Sequence, residues 1–315
     1  MAGKNYKKLI IGFGCLAVFL LTASCASVPK AETFYRDRSG FSLMPEGAPL
    51  YLMAEVQEVR PILDELVLGG LSGAEIKKFL DMSNHVTLAV YQNPGERHFY
   101  AAAMGKFPSG GGGLFFSASK DWEKKVSASG LPYWYSERSW LSVSLGAKEA
   151  YLSDVDPFVS PPGAKIPEAL PAMQKDSVLS GWMNNPAQAI KKLAAAFEIP
   201  IEIPAERFLF VIYPADESTS GGGSKKNRAD ENSLYSATLR FETPAAAQAA
   251  GLVMIFSLAR LGMANADFGD HKKMETLARA FFSNSPRQDG NALILKTGVM
   301  SGKDLALLFN TISVY

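Results

Sequence analysis

Residues 234–264 read LYSATLRFETPAAAQAAGLVMIFSLARLGMA, a strand that passes through Thr243-Pro244 into a long apolar helix. From Leu234 to Phe241 the residues suit one arm of a hairpin. Thr243-Pro244 then makes a good helix opening, because proline tolerates the first turn, where its missing N–H is not needed. The stretch from Pro244 to Ala259 carries no charge. Such a helix is buried on most sides, or it borders an apolar ligand or a membrane surface. Leu252, Ile255 and Phe256 are the candidate contacts for that ligand or membrane. The run before Arg260 is too short to span a bilayer.

Phe208 to Tyr213 supplies the other arm of the hairpin, across a polar, glycine-rich loop from Pro214 to Asn232. Upstream come a helix from Pro186 through Ile190, Leu193 and Phe197, and before it a strand, Val178 to Trp182. The same order occurs earlier in the chain. Leu50 to Ala54 reads as a strand, and Val56, Val59, Ile62, Leu63 and Leu66 have helical spacing. Val86 to Tyr91 with Phe99 to Gly105 forms a hairpin, and Trp140 to Leu145 and Ala150 to Ser153 add strands. Ala292 to Thr297 and a helix from Lys303 to Ile312 close the later copy. The fold class is therefore α+β: two diverged repeats, each a mostly antiparallel sheet packed with helices. Pro157, Pro161, Pro162, Pro167 and Pro171 divide the copies, since proline denies both helix and ladder bonding. The organisation reads as residues 1–24, 25–42, 43–156, 157–171 and 172–315: signal peptide, tether, first domain, proline-rich joint and second domain. This order resembles exported bacterial proteins of the DUF3352 kind, a resemblance that implies a fold and no chemistry.

The N-terminus sets the location. Lys4, Lys7 and Lys8 precede an uncharged run, Leu9 to Ala23, long enough for a signal h-region and short for a membrane span. Leu21-Thr22-Ala23-Ser24-Cys25 resembles the lipobox of bacterial lipoproteins, with Thr22 where that motif usually has leucine. The resemblance implies cleavage before Cys25 and acylation of its sulfur. Cys15 lies in the removed run, so Cys25 is the single mature thiol. A lone cysteine is a liability in an oxidising compartment unless its sulfur is already used. Ala26 follows it, and by the family's sorting habits the lack of an acidic residue there implies an outer membrane more than an inner one. Residues 26–42 have no periodicity and form a tether that reaches roughly 55 Å at ~3.3 Å per residue.

The precursor carries 32 basic and 31 acidic side chains. Loss of the three signal lysines leaves the mature chain slightly acidic. The dense basic patch Lys225-Lys226-Asn227-Arg228 sits in the polar loop, so nucleic acid is excluded as a partner. Several spellings of catalytic motifs occur by chance. Ser117-Ala118-Ser119-Lys120 and Lys296-Thr297-Gly298 match two marks of penicillin-recognising enzymes, but no S-x-N triplet accompanies them. Asp267-Phe268-Gly269 lacks the other kinase elements. The glycine runs 110–113 and 221–223 lack a phosphate-loop ending. His85, His98 and His271 have no ligand spacing, and Asp154 with Asp156 lacks the further oxygens a calcium site needs. No metal or cofactor is expected.

Trp122, Tyr133, Trp134, Tyr135 and Trp140 gather amphipathic rings in a short stretch of the first domain. They are either a hairpin core with cross-strand pairs or a partner surface. The expected function is non-enzymatic: a lipid-anchored envelope protein that binds another envelope protein, with an apolar ligand carrier as the alternative and a hydrolase as a further one. Replacing Cys25 with Ser tests the anchor. The variant should lose incorporation of labelled fatty acid and leave the detergent-rich phase; unchanged labelling would refute it.

Overall fold

The computed structural model describes residues 40–64, 80–93, 96–107, 120–138, 140–146, 148–158, 163–187, 190–191, 204–215, 233–264 and 272–313. The signal run, Cys25 and the tether up to residue 39 lie outside these residues, as does the polar loop from 216 to 232. Two compact units form, each with an antiparallel sheet, and the named α-helices of the described residues belong to the second.

The first unit, residues 40–57 and 80–166 where described, holds seven strands. They are β1 (Leu50–Glu55), β2 (Ser83–Asn93), β3 (Glu96–Gly105), β4 (Glu123–Val126), β5 (Pro132–Ser136), β6 (Leu141–Leu145) and β7 (Glu149–Ser153). Their order is β1-β2-β3-β7-β6-β5-β4, with antiparallel pairing throughout. The pairs Tyr51–Ala89, Ala89–Tyr100, Tyr100–Ser153, Ser153–Ser142 and Ser142–Tyr135 lie directly opposite, so these side chains line one face. Phe41, in a short 3-10 turn (Gly40–Leu43), meets Tyr51 edge-on, and Phe158 packs on Tyr151.

Two tyrosines pin the segment that closes this face. The Tyr51 and Tyr91 hydroxyls both donate to the Pro45 carbonyl, at 2.8 and 2.7 Å. Burial pushes both phenols above their ordinary range. Ala164 N–H donates to Met44 O at 2.8 Å, and Pro45 bridges Gly163. A side chain at Gly163 would meet Ser42 O at 2.5 Å, so glycine is required at this crossing. The division between the two units falls within the proline-rich stretch, after Ile166, and Phe158, Ala164 and Leu170 there are buried.

One departure concerns the helix expected from Val56 to Leu66. Val56 instead extends β1 by donating to Asn84 O, and the Gln57 amide reaches Leu80 O and Ser83 O. Among the described residues of that stretch helix covers only Arg60–Leu63 (α1), with Pro61 in its first turn. Residues 58–64 belong to the second unit. There Tyr235 Oη donates to Glu58 O, Val59 and Ile62 are fully buried, and Pro61 lies against Gly302 so closely that a Cβ would come within 2.9 Å of it.

The second unit, otherwise residues 167–313, contains α2 (Leu170–Gln174), β8 (Leu179–Asn184), β9 (Arg207–Pro214), β10 (Leu234–Glu242), α3 (Ala246–Ala264) and α4 (Lys272–Phe281). It closes with β11 (Arg287–Asp289), β12 (Ala292–Lys296), β13 (Met300–Ser301) and α5 (Gly302–Ser313). The order is β11-β12-β10-β9-β8, with β13 also on β10. In both units three successive strands lie side by side and a later strand joins the third. The first unit adds β4 to β6 beyond that plan. At α5, Ser301 and Asp304 cap reciprocally: the Ser301 N–H and hydroxyl donate to the Asp304 carboxylate, and Asp304 N–H donates to the Ser301 hydroxyl.

Two glycines make opposite predictions. A methyl at Gly105 would stand 1.8 Å from Met82 O, so Gly105→Ala should cost at least ~2 kcal/mol in denaturant unfolding. Gly251, in mid-α3, has nothing within 4 Å, and Gly251→Ala should stabilise by about 0.5–1 kcal/mol. A third prediction concerns pH. The Arg240 guanidinium, hydrogen-bonded to Asp289, holds that carboxyl below the usual carboxylate range. A lowered folded-state value stabilises above the ordinary range and is lost as pH falls through it. Asp289→Asn should therefore lower the melting midpoint at neutral pH, with the difference vanishing in strong acid.

Candidate functional site

α3 is apolar on nearly all sides, and its rotation is set by aromatic contacts. Phe208 stacks on Phe241, with ring centroids 4.8 Å apart; Phe241 meets Phe256 at 6.2 Å and Phe256 meets Phe282 at 6.0 Å. The chain of rings runs from the sheet through α3 to the end of α4. Ala249, Leu252 and Phe256 are buried on the inner face at helical spacing, and Ile255 is half-buried at its border.

Arg260 is the sole charged residue of α3, and it turns inward. Its Nε donates to Phe282 O at 3.1 Å, its Nη2 to Ser283 O at 3.3 Å and its Nη1 to Ser285 Oγ at 3.1 Å. These carbonyls end α4, where a cation also suits the helix dipole. The opposite face therefore carries no charge. Met254, Leu258 and Leu261, spaced four and three apart, are each 62% exposed, with Ala247 and Ala250 exposed before them.

Leu252 and Phe256, expected to meet ligand or membrane, are core residues against the sheet and α4. The outward apolar surface consists of Met254, Leu258 and Leu261. An i, i+4, i+7 count from Met254 could have found them, but the same count from Leu252 looks equally good.

The aromatic stretch of the first unit divides among three environments. Trp122 is buried. Tyr133 and Tyr135 share one face of β5 and Trp134 takes the other, all half-buried. Lys125 Nζ stands 4.2 Å from the Tyr135 ring centroid, a cation–π contact, and pairs with Glu123. Trp140, in the β5–β6 turn, is 51% exposed and has φ 54°.

Residues spelled like catalytic motifs have structural work where they are described. Thr297 Oγ1 accepts from Ala237 N–H and donates to Gly298 O. Asp154 accepts from Phe99 N–H, and Asp156 accepts from Ala128 and Phe158 N–H. His85 pairs with Glu55 across β1 and β2 at 2.8 Å. Ser117 to Ser119, Asp267 to Gly269 and His271 lie outside the described residues, as do both glycine runs.

Comparison with known proteins follows the same lines. Residues 36–150 match the family described as outer membrane-associated lipoprotein TP0453. The fold is similar to crystal form III of TP0453, with TM-score 0.56 and 17% identity over 88% of this chain and 99% of that one. Crystal form I gives 0.54 and 18% over 87% and 97%, and form IV gives 0.54 and 16% over 89% and 100%. No curated protein matches the sequence. At these identities the structural likeness is one of fold, and it bears out the α+β architecture with antiparallel sheets. The family match, which falls mostly on the first unit, supports a bacterial lipoprotein in the cell envelope.

Proposed function

We propose that the chain is a non-enzymatic envelope lipoprotein, held on a membrane by lipid on Cys25, whose second unit offers the outward face of α3 to lipid. One observation carries this reading: Met254, Leu258 and Leu261 form an uncharged, largely exposed stripe on a helix whose inner face, Ala249, Leu252 and Phe256, is buried. Fully burying a side chain of this size is worth about 1.5–3 kcal/mol, so the three exposed fractions together supply roughly 3–5 kcal/mol. That is too little to hold a free protein on a bilayer for long. Added to an acyl anchor, which makes contact effectively intramolecular, it is enough to keep the unit against the surface. The stripe opens to solvent, which favours contact with a lipid surface over enclosure of a carried molecule. The outer membrane is the membrane we assign, from Ala26 after the lipobox and from the description of the matching family.

The test uses a soluble form beginning at Ala26 and liposomes of phosphatidylcholine. The wild type should co-float with them. Met254→Glu with Leu258→Glu should abolish flotation and leave the melting midpoint unchanged, because both side chains are already in water. Phe256→Asp should instead unfold the unit through a buried charge. A wild type that does not float, or a double variant that floats as well, would overturn the reading.

A further inference from the structure

The terminal strand of the second unit, β11, reads Arg287-Gln288-Asp289, and all three residues are exposed. Asp289 and Ala292 close a two-residue loop in which Gly290 has φ 58°, as the primed turns of hairpins require. The closing pair of such a hairpin exchanges both main-chain bonds and the next pair exchanges none. Gln288 therefore directs its backbone N–H and C=O away from β12, towards the open edge. Arg287 and Asp289 lie on the sheet face of Arg240, opposite Ile294 and Ala292. Asp289 Oδ2 accepts from Arg240 Nη1, which leaves Oδ1 for a second cation. Among the described residues no salt bridge engages Arg287.

We propose that β11 pairs with β11 of a second copy of this chain about a two-fold axis centred on Gln288. In that register the strand is its own complement. Gln288 opposes Gln288 of the second copy and exchanges both main-chain bonds, while Arg287 opposes Asp289 on either side of the axis. The other terminal strand, β4, lacks this property: Glu123-Lys124-Lys125-Val126 paired with itself sets lysine against lysine, which is how an edge is kept free. Beside β11, Ala246 O accepts from Gln288 Nε2 at 2.9 Å, and Ala245 to Ala247 carry only methyl groups. The axis also fits one membrane. A two-fold between antiparallel neighbours stands perpendicular to the sheet, so each face continues into the same face of the second copy. α3 packs on the face of Phe241, and Met254 and Leu258 point away from it, so both copies turn these side chains to one side, as attachment to one bilayer requires. Three residues of edge fall well short of the ~800 Å² per partner that holds a free dimer, so the pairing needs both copies confined to one surface.

The inference deepens the membrane reading and rests on the anchor at Cys25, on which fatty-acid labelling of the same preparation reports separately. The test is disulfide formation in the full lipidated chain, in phosphatidylcholine vesicles under mild oxidation. With Cys25 acylated, Gln288→Cys supplies the sole free thiol, and the Cα separation of ~5.5 Å in such a pair is within disulfide reach. Gln288→Cys should give a covalent dimer, and Val299→Cys, exposed in the same unit but off this edge, only a collisional background. Adding Arg287→Glu should slow the linking roughly tenfold, because two attractive pairs become repulsive, and should leave the melting midpoint unchanged. Chains with Arg287→Cys mixed with chains with Asp289→Cys should link more than either alone; this fixes the register and stands even where Gln288→Cys fails to fold. Equal linking at positions 288 and 299, no linking by either route in a labelled preparation, or linking indifferent to Arg287→Glu would overturn the proposal. Should the label be absent, the anchor fails and the edge is read in the soluble form beginning at Ala26. There Gln288→Cys should link at high protein concentration and not on dilution, and no linking at any concentration overturns the pairing as well.

Discussion

The run of phenylalanine rings from Phe208 through Phe241 and Phe256 to Phe282 governs the second unit. It joins two strands, the apolar helix and the end of the next helix in one line of contacts, so none of them can rotate without breaking a ring pair. Offset and tilted aromatic contacts add a directional preference to area burial, which Leu or Ala alone would not supply. Once Phe256 faces inward, Arg260 must follow it, since four residues on is one turn of the same face. The guanidinium then meets the last carbonyls of α4, and the single charge of α3 is spent on structure. The uncharged outer stripe is a consequence of this docking.

The first unit depends on a different device. Tyr51 and Tyr91 converge on one backbone carbonyl, Pro45, and bring residues 44 and 45 to residues 163 and 164. A buried phenol must find an acceptor, and a proline segment has carbonyls that no ladder uses. Each need answers the other. Phe158, Ala164 and Leu170, described residues of the stretch from Pro157 to Pro171, are buried.

The two units are not sequential beads. Residues 58–64 leave the first unit directly after Gln57 and fill a seat in the second, where Tyr235 holds Glu58 O and Gly302 makes room for Pro61.

Hairpin arms, the long helix and the final helix were legible in the sequence because each announces itself locally: alternation, a proline opening or helical spacing needs no distant partner to be read. The hairpin of β4 and β5 was legible only through its aromatic stretch, since Glu123-Lys124-Lys125-Val126 has no alternation of its own and owes its pairing to Tyr133 to Tyr135 opposite. Nor was the transfer of residues 58–64 legible, because Val59 and Ile62 are equally apolar whichever core receives them. The sequence by itself determined that α3 exists and must be apolar on more than one face. Which face meets the sheet was decided only by tertiary structure, because Leu252 and Met254 are near equivalents in hydrophobicity and only the position of Phe241 and Phe282 distinguishes the sides on which they lie.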